Sequence, residues 1–379
     1  MPTESGITAA RTLARYAITE SATSIPAAAI HEALRSLLNY FGCALGGSQH
    51  PAVGIALKAL APFGASTECS VYGRRERTDA LHAALINGLA GHVFDFDDTH
   101  LRTLLHPSVP VASALLALAE RQPISGRDFL AAFIVGVEIE CRVANAVWFA
   151  HNSHWYITGT AGVFGAAAAV ARILGLDQDA TTHALGIACG QAAGTREMAG
   201  TMTKAFIHGR AAQNGLLAAL LAREGFTAAE SSLEGPHGFI NVLAPDRKAA
   251  ELTAGLGTTY EILLNSYKPF ACGVVAHPVI DACIRLRNEQ KVNPADIATI
   301  ALTVSPRALE LTGIKAPPNG LKSKWSIYHS AAVALVDGAA GEHQYGDERV
   351  NAPEVLALRA KIAAAADPAL VEIAAPVIE

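Results

Sequence analysis

Residues 160–176, TAGVFGAAAAVARILGL, are almost entirely apolar and end beside a glycine. Residues 209–225, GRAAQNGLLAALLAREG, follow the same pattern. Apolar residues at helical spacing predict helices, and a glycine just after the last apolar turn is typical of a helix C-terminus. Because alanine and glycine carry little side-chain bulk, we expect these helices to pack closely on one another.

Earlier segments show the same helical periodicity. Residues 25–43, IPAAAIHEALRSLLNYFGC, predict a helix that ends near the glycine pair at 46–47. Residues 125–147 predict another, with Ser125 as its N-cap and an aspartate three residues on, in the manner of a capping box. Up to about residue 265, almost no segment alternates with the period of two that marks a half-buried strand.

The pattern changes near residues 265–273, NSYKPFACG. Residues 298–305, ATIALTVS, alternate like a half-buried strand. We therefore predict a mainly α protein with two domains, a large all-helical one over residues 1–266 and a smaller α+β one over 267–379. Further helices are predicted in HPVIDACIRLRNEQ (277–290), KWSIYHSAAVALVDG (324–338) and APEVLALRAKIAAAA (352–366).

Composition excludes several classes of protein. Hydrophobic residues make up 51% of the chain and charged residues only 17%, so we expect apolar surface to be buried between subunits of a homodimer. A net charge of −5 favours neither nucleic acid nor an anionic membrane. The uncharged stretch 143–171 is interrupted by HNSHWY, which argues against a membrane span. Six scattered cysteines without a CxxC pair indicate a reducing cytoplasm.

The densest polar stretch is HVFDFDDTHLRTLLHPS, residues 92–108. Carboxylates with histidines can bind zinc, iron or manganese. However, no HExxH pair is present and the neighbours Asp97 and Asp98 should point in different directions, so we predict no metal site. His92 and His100 are interpreted as structural or surface residues. The stretch as a whole is expected to be functional, because loops dense in aspartate and histidine beside apolar helices are where sites concentrate.

A second polar stretch, GTMTKAFIHGRAAQNG (200–215), lies just before a predicted apolar helix. It carries Lys204, His208 and Arg210 where backbone N–H groups also favour anions. Its glycines are expected to let the backbone approach a ligand. The GxxxxGK[ST] order of a phosphate-binding loop is absent.

Three further stretches contribute candidates. SYKPFACGVVAHPVID (266–281) places Lys268 at the proposed domain boundary, and its His277-Pro278 pair is expected to open a helix. Tyr156 lies among aromatics before the glycine-rich helix, and Tyr328 lies in KWSIYHS. Without other information, Tyr156 is interpreted as a core aromatic residue.

Together these clusters supply lysine, arginine, histidine, tyrosine and aspartate, but no activated serine or cysteine nucleophile. Neither a GxSxG elbow nor a dinucleotide-binding GxGxxG is present. This inventory suits binding of a small polycarboxylate and transfer of a proton at the carbon beside a carboxylate. Dehydration, decarboxylation and epimerisation all need such a stabilised carbanion-like centre, and the residues alone do not separate them.

The motifs also carry a family resemblance that spans nearly the whole chain. The sequence resembles the MmgE/PrpD family, whose known activities include 2-methylcitrate dehydratase, cis-aconitate decarboxylase and iminodisuccinate epimerase. The motifs that carry the resemblance, in the family's order, are NGLAGHVFDFDDTH…HPS, TGTAGVFGAAAA, GTMTK…GRAAQNG, YKPF…HPVIDA and WSIYHSAAVALVDG.

The resemblance implies a large all-helical domain and a smaller α+β domain, which form a homodimer without a metal or organic cofactor. It also implies an active site in the cleft between the domains. Chains of the family usually return to the helical domain after the α+β domain. This chain is expected to lack that segment, in keeping with its apolar end EIAAPVIE (372–379). The residues that match the family's site are Asp95, Thr99, His106, Lys204, Lys268 and His277.

One position departs from the family pattern. Decarboxylase-like members resemble a His-Pro-Thr pattern before the glycine-rich helix, where this chain has Trp155-Tyr156-Ile157-Thr158. A base at that place would be a phenol, whose unperturbed pKa is about 10 rather than the value of about 6.5 for histidine. It would need a cationic neighbour such as Lys204 to act near neutral pH. This departure favours a dehydratase or an epimerase over a cis-aconitate decarboxylase.

The leading hypothesis is therefore a cofactor-independent lyase of the 2-methylcitrate dehydratase type that acts on a small hydroxy-polycarboxylate. The alternatives are an epimerase with two opposed bases, a non-catalytic helical scaffold and a metal-dependent hydrolase. The expected catalytic residues are His106, Lys204, Tyr156, Asp95 and Thr99. The expected substrate-binding residues are Lys268, His277, Arg210, His208 and Tyr328.

Overall fold

Most of the chain is helical, as the apolar periodicity predicts. The computed structural model describes residues 7–64 and 66–370. Within these residues the strands are short and form three separate two-stranded sheets. The prediction of a mainly α protein is confirmed.

The chain divides into two compact units. The helical unit comprises the described residues up to Val93, together with Asp97–Glu197 and Thr203–Tyr267. The mixed unit comprises Phe94–Phe96, Met198–Met202 and the described residues from Lys268 onward.

The helical unit is built around one large apolar core. Two pairs of two-residue strands, all antiparallel, add to it: β1 (Cys69–Ser70) with β2 (Arg77–Thr78), and β3 (Thr99–His100) with β4 (Asn265–Ser266). Its helices are α1 (Ala9–Thr19), α2 (Ala27–Gly47), α3 (Pro51–Leu60), α4 (Ala80–His92), α5 (Ser108–Ala119), α6 (Gly126–His154), α7 (Ile157–Ile173), α8 (Gln178–Cys189), α9 (Met202–Arg223) and α10 (Phe239–Leu243).

Several predicted helix ends are confirmed. The Ser125 hydroxyl accepts a hydrogen bond from the backbone N–H of Asp128 at 3.1 Å and so caps α6. Helix α2 ends at the glycine pair, as predicted. After α7 and α9, Gly175 and Gly225 have φ angles of 65° and 89°, in the left-handed region that favours glycine.

Helix α9 begins earlier than predicted. Lys204 lies in its first turn and His208 one turn further on, so both residues are inside the helix rather than just before it. The physical reason is burial. Residues 204, 205, 207 and 208 all bury their side chains, and this packing stabilises the extra turns although the sequence continues into a glycine.

That glycine, Gly209, lies where α9 crosses α4. A Cβ atom at Gly209 would overlap the carbonyl oxygen of Leu85, and one at Gly88 would lie 2.7 Å from the Cα atom of Gly209. Further along α9, a Cβ atom at Gly215 would lie 2.8 Å from the carbonyl oxygen of Val163 in α7. The prediction that these two glycines face a ligand is wrong, because each faces a neighbouring helix. The predicted close packing of alanine- and glycine-rich helices is confirmed.

A buried chain of charged groups fastens β3 to α6. The Arg142 guanidinium donates to Glu138 at 2.7 Å, and the other Glu138 oxygen accepts the backbone N–H of Glu261 at 2.6 Å. The Glu261 carboxylate in turn lies 2.9 Å from Nε2 of His100 in β3. Burial raises the pKa of Glu138 to about 7, against the opposing charge of Arg142. The interpretation of His100 as a structural residue agrees with these contacts.

The mixed unit combines short helices with one parallel strand pair. Its strands β5 (Ile300–Val304) and β6 (Ile362–Ala366) pair in parallel, with Ile300 opposite Ile362. Strand β5 confirms the alternating pattern of residues 298–305. The helices of the unit are α11 (His277–Glu289), α12 (Pro306–Thr312), α13 (Gly320–Ser323), α14 (Ile327–Asp337), α15 (Asp347–Val350) and α16 (Pro353–Arg359).

One predicted helix is too long. The segment 352–366 is helical only over α16, and its last part, IAAAA, is strand β6. Alanine has the highest helix propensity, yet these residues form a full set of ladder contacts with β5. Tertiary pairing therefore overrides local propensity here, as it commonly does for short segments.

The apolar end 372–379, which the sequence analysis singled out, lies outside the described residues, as do residues 1–6. No helix within 7–64 and 66–370 combines the length and apolar composition needed to cross a membrane. Four of the six cysteines are buried: Cys69, Cys141, Cys272 and Cys283. The other two, Cys43 and Cys189, are half-buried.

We predict that Gly209→Ala destabilises the protein by about 1–3 kcal/mol or more, because its methyl group must force α9 away from α4. Gly54→Ala, inside α3, is the matched control. Its Cβ atom would meet nothing closer than 3.7 Å, so this change should stabilise the helix by about 0.5–1 kcal/mol. Denaturant unfolding of the two variants measures the difference. Equal effects would contradict the proposed helix contact.

Candidate active site

The predicted site residues fall into one group in each unit. The helical unit holds Thr99, His106, Tyr156, Lys204 and His208, and the mixed unit holds Asp95, Lys268, His277 and Tyr328. The DFDD segment contributes to both, because Phe94–Phe96 belong to the mixed unit and Asp97 begins the next stretch of the helical unit.

At the centre of the first group is a line of three buried side chains. Nδ1 of His92, the last residue of α4, lies 2.9 and 2.8 Å from the two carboxylate oxygens of Asp97. An ionised carboxylate accepts hydrogen bonds but cannot donate one, so Nδ1 carries the proton. Nε2 of the same ring lies 2.6 Å from the Lys204 amine. All three residues are 5% exposed or less.

His106 lies beside this line with its tautomer fixed. Its Nδ1 lies 2.8 Å from the backbone carbonyl oxygen of Asp98, which can only accept, so Nδ1 carries a proton. The Thr99 hydroxyl is 3.3 Å from the same nitrogen. In neutral His106 the lone pair is therefore on Nε2, which is the form that a general base needs.

His208 packs flat against His92. The ring centroids are 3.3 Å apart and the planes differ by 11°. Nδ1 of His208 donates to the Lys204 carbonyl oxygen at 3.0 Å, and its buried Nε2 has no hydrogen-bond partner among the described residues. Burial holds the pKa of His208 well below its usual value, and the charges of His92, His106 and Lys204 add to this effect. His208 is therefore neutral at physiological pH.

Tyr156 borders the same group from the start of α7. Its backbone N–H donates to the Gly194 carbonyl oxygen at 2.8 Å, which fixes the residue just before the helix. The Lys204 amine lies 5.2 Å from the centre of the Tyr156 ring, and the His208 ring is 5.3 Å away. Tyr156 is buried, as expected of a core aromatic, and it also lies beside these two ionisable side chains.

The neighbouring carboxylate, Asp98, instead holds the loop in place. It accepts hydrogen bonds from the Ser108 hydroxyl at 2.5 Å and from the Asn265 amide at 2.7 Å. Its backbone N–H donates to Asn39 at 2.8 Å. Because Ser108 begins α5 and Asn265 lies in β4, Asp98 ties the polar loop to both elements.

The three histidines of the group also deserve comparison with a metal site. A ring nitrogen from each of His92, His106 and His208 lies within 4.8 Å of the others. A transition metal sits about 2.0–2.1 Å from each imidazole nitrogen, close to the plane of each ring. The stacked rings of His92 and His208 cannot both point in-plane lone pairs at one ion, and the Lys204 amine is at Nε2 of His92. The rings of His92 and His208 are therefore not arranged to bind one ion together.

In the mixed unit, Asp95 and Lys268 form a buried ion pair. The Lys268 amine lies 2.5 Å from Oδ1 of Asp95 and 2.9 Å from the Asp95 carbonyl oxygen. Asp95 has a φ angle of 52°, an unusual conformation for a residue with a side chain. The two contacts with Lys268 hold it there. An ion pair fits an ionised Asp95.

His277 lies in the same unit at the start of α11, as predicted. Burial lowers its pKa to about 4, and the charge of Lys268 adds to the shift. Nε2 of His277 is 3.3 Å from the carbonyl oxygen of Cys272. At pH 7 this imidazole is therefore neutral, and its role in substrate binding stays a prediction.

The other two predicted binding residues have different surroundings. Arg210 is exposed on α9 and donates to the Gln213 side chain one turn along the same helix. Tyr328 is buried in α14 and packs in an apolar cluster with Val304 and Ala308. Their roles in substrate binding stay predictions.

Sequence reasoning missed two kinds of residue. His92 was not expected to contact Lys204, nor Asp97 to contact His92, although a histidine at the end of an apolar helix followed by an acidic loop is a usable signal. Lys324 was not singled out either. It is buried in the mixed unit, donates to the carbonyl oxygens of Phe94 and Ala271 at 2.8 and 2.6 Å, and lies 4.7 Å from the Tyr345 ring centre.

We predict that Lys268→Met lowers the free energy of unfolding by about 3–5 kcal/mol, because it leaves the buried Asp95 carboxylate without its cation. Adding Asp95→Asn to this variant removes the unpaired charge and should restore part of the loss. Lys315→Met, at an exposed lysine of the same unit, is the control and should have little effect. Denaturant titration of the four proteins tests the prediction, which fails if Lys268→Met and the control behave alike.

Comparison with known proteins agrees with this assembly of motifs. The MmgE/PrpD N-terminal domain matches residues 11–252, and the MmgE/PrpD C-terminal domain matches residues 270–376. A cis-aconitate decarboxylase of Aspergillus terreus is 29% identical over 95% of this chain and 78% of its own length.

Two further relatives represent two different activities. A cis-aconitate decarboxylase-like protein of Aspergillus oryzae is 34% identical over 70% of this chain and 58% of its own length. A 2-methylcitrate dehydratase of Cupriavidus necator is 27% identical over 88% of this chain and 72% of its own length. Decarboxylases and dehydratases of this kind are lyases, so the likeness supports a lyase-type enzyme. The chain belongs to the MmgE/PrpD family.

Proposed function

We propose that the protein is a cofactor-independent lyase of the dehydratase type that acts on a small hydroxy-polycarboxylate. The observation that carries this proposal is the buried contact between the Lys204 amine and His92, beside His106 and Tyr156. An amine, two imidazoles and a phenol in one place are the groups that remove and return protons at a carbon acid.

The group lacks the geometry of nucleophilic catalysis. The Thr99 hydroxyl meets Nδ1 of His106, which already carries a proton that it shares with the Asp98 carbonyl oxygen. That nitrogen cannot take the hydroxyl proton, so His106 does not activate Thr99 for attack. This contact supports an orienting role for Thr99.

The reaction that we propose starts with loss of the proton on the carbon beside a carboxylate. Lys204 or His106 accepts this proton, and the C–H electron pair stays on the substrate as an enolate-like centre. The hydroxyl on the adjacent carbon then leaves as water with a proton from an acid of the site, for which Tyr156 is a candidate. Buried cations favour the enolate because they are aimed at the developing negative charge in a site of low polarity.

Decarboxylation of an unsaturated tricarboxylate is the second candidate. It is favoured by the relatives from the two Aspergillus species, which are a cis-aconitate decarboxylase and a cis-aconitate decarboxylase-like protein. In that reaction the electron pair of the broken C–C bond goes to the same kind of carbanion-like centre, and an acid of the site then protonates the carbon. Tyr156, in place of the histidine of decarboxylase-like members, is the residue that argues against the decarboxylase, and it leaves the dehydratase and the epimerase both open.

We predict that the protein incubated with 2-methylcitrate, citrate and cis-aconitate in D2O releases an unsaturated product from a hydroxyacid, which proton NMR and ultraviolet absorbance both detect. Release of CO2 from cis-aconitate would instead select the decarboxylase. Deuterium at the α-carbon without loss of water or CO2 would select the epimerase. No change in any substrate of a wider polycarboxylate panel would favour the scaffold.

Variants connect any turnover to the group described above. Lys204→Met and His106→Asn should each lower kcat by about 100-fold or more, the usual contribution of a general acid or base. Lys58→Met, at an exposed lysine of α3, is the matched control and should leave turnover unchanged. If neither Lys204→Met nor His106→Asn changes turnover, the site assignment is wrong.

We also propose that α2 forms the interface of a homodimer. Its outer face exposes Leu34, Leu38 and Leu45, which are 52, 76 and 52% exposed. Gly42 and Gly46 lie on the same helix, with open space where their Cβ atoms would be. Leucine ridges and glycine notches on one helix can interlock with a second copy across a twofold axis. The low share of charged residues supports the same partner.

We predict that light scattering after size-exclusion chromatography gives the mass of a dimer, and that Leu38→Glu shifts the protein toward the monomer. The new carboxylate would lose its hydration in the interface without a partner. Leu286→Glu, at an exposed leucine of α11, should leave the mass unchanged. A wild-type monomer at micromolar concentration would overturn the proposal.

A further inference from the structure

We propose that Asp97 and His92 act as a proton relay that allows Lys204 to be the general base of the reaction. This inference rests on the proposed function, because it concerns the group that removes the substrate's α-proton. It gives roles to two residues that the sequence motifs did not assign to catalysis. In this relay His92 exchanges a proton with Lys204, and Asp97 is the positioning residue for His92.

The hydrogen bonds leave His92 only one useful tautomer. Both oxygens of Asp97 face Nδ1 at 2.9 and 2.8 Å, so this nitrogen holds the ring proton. The opposite nitrogen, Nε2, presents its lone pair to the Lys204 amine at 2.6 Å. An ammonium can therefore donate directly to His92, and the resulting imidazolium would be bound to a carboxylate on its other side.

The surroundings favour this exchange. His92 and Asp97 are 1 and 0% exposed, so water does not compete for the proton. The other ionisable groups of the helical unit that face the Lys204–His92 pair are His106, His208 and Tyr156. The Asp97 carboxylate contacts His92, and it also lies 3.7 Å from Nδ1 of His106.

His208 completes the arrangement without competing for the proton. Its ring covers one face of His92 at 3.3 Å, and its Nδ1 proton is held by the Lys204 carbonyl oxygen. Burial keeps His208 neutral, with the nearby positive charges adding to the effect. The side chain that packs against the relay therefore fixes the planes of both rings, and the transferred proton stays between Lys204 and His92.

The step balances as follows. The Lys204 ammonium gives one proton to Nε2 of His92, which becomes an imidazolium paired with the Asp97 carboxylate. The neutral Lys204 amine then takes the α-proton of the substrate, and the C–H electron pair remains on the substrate as the enolate. The hydroxyl leaves as water with a proton from the acid of the site, for which Tyr156 is the candidate. The imidazolium proton then replaces the proton that this acid has given, so the site returns to its resting state. No oxidant, metal or further reactant is needed.

The first test needs no substrate, so it separates failure of the relay from failure of the proposed function. In the full chain with 15N-labelled histidine, two-bond 1H–15N correlation spectra report the protonation of each ring nitrogen. For His92 we expect a proton on Nδ1 throughout, with Nε2 changing between bare and protonated as pH varies. A His92 ring protonated only on Nε2, with Nδ1 bare, would overturn the relay whatever the enzyme does.

The second test uses Asp97→Asn, which keeps the shape of the side chain and removes its charge. With less support for an imidazolium, kcat should fall by about 100-fold. Losing the negative charge in contact disfavours the protonated state of the pair, so the rising limb of the pH–rate profile should move down by about 1–2 pH units. A change in KM alone, or a lower kcat with an unchanged pH limb, would contradict the relay.

Two further variants test whether the effects of Asp97→Asn come only from a change in structure. Asp98→Asn removes a neighbouring carboxylate that anchors the loop through Ser108 and Asn265, so it should lower thermal stability without moving the pH limb. His92→Ala leaves a cavity of imidazole size, and added imidazole should restore part of its kcat. If Asp98→Asn shifts the limb as far as Asp97→Asn, or if a folded His92→Ala protein keeps full kcat, the relay is wrong.

Discussion

The contact between α4 and α9 at Gly88 and Gly209 determines the geometry of the candidate site. Neither position has room for a methyl group, so the two helix backbones touch. This close approach brings the C-terminal end of α4, with His92, beside the first turns of α9, with Lys204 and His208. The 2.6 Å contact between the Lys204 amine and His92 follows from how these helices cross. A second glycine contact, between Gly215 and α7, fixes the other flank of α9.

Burial gives these side chains their chemical character. The same exclusion of water that lowers the pKa of His208 also removes competition for the proton between Lys204 and His92. Backbone carbonyl oxygens assign the protons, since those of Asp98 and Lys204 each accept from a histidine Nδ1. The tautomers are thus set by main-chain geometry, which depends on the helix and loop positions.

Much of the fold could be predicted because it depends on local patterns. The helical periodicity, the Ser125 cap and the glycines after α7 and α9 act within a few residues of one another. Two predicted helix boundaries were wrong, because contacts with distant residues determine them. The segment IAAAA is helical by propensity but pairs with β5, and α9 extends beyond its apolar stretch because its first turns are buried. Neither partner is visible from the local sequence.

The sequence by itself determined the mainly helical fold and, through its motifs, the MmgE/PrpD family, and it pointed to Lys204 and His106 as candidate catalytic residues. It also indicated that the glycines of α9 let the helix backbone come close to a neighbouring group. Only the tertiary structure decided that the approach is to neighbouring helices and that His92 and Asp97 join Lys204 in a buried line. The reason is physical: side-chain type and spacing fix which elements form, whereas the protonation and partners of a buried histidine depend on atoms that packing brings within 3 Å from far along the chain.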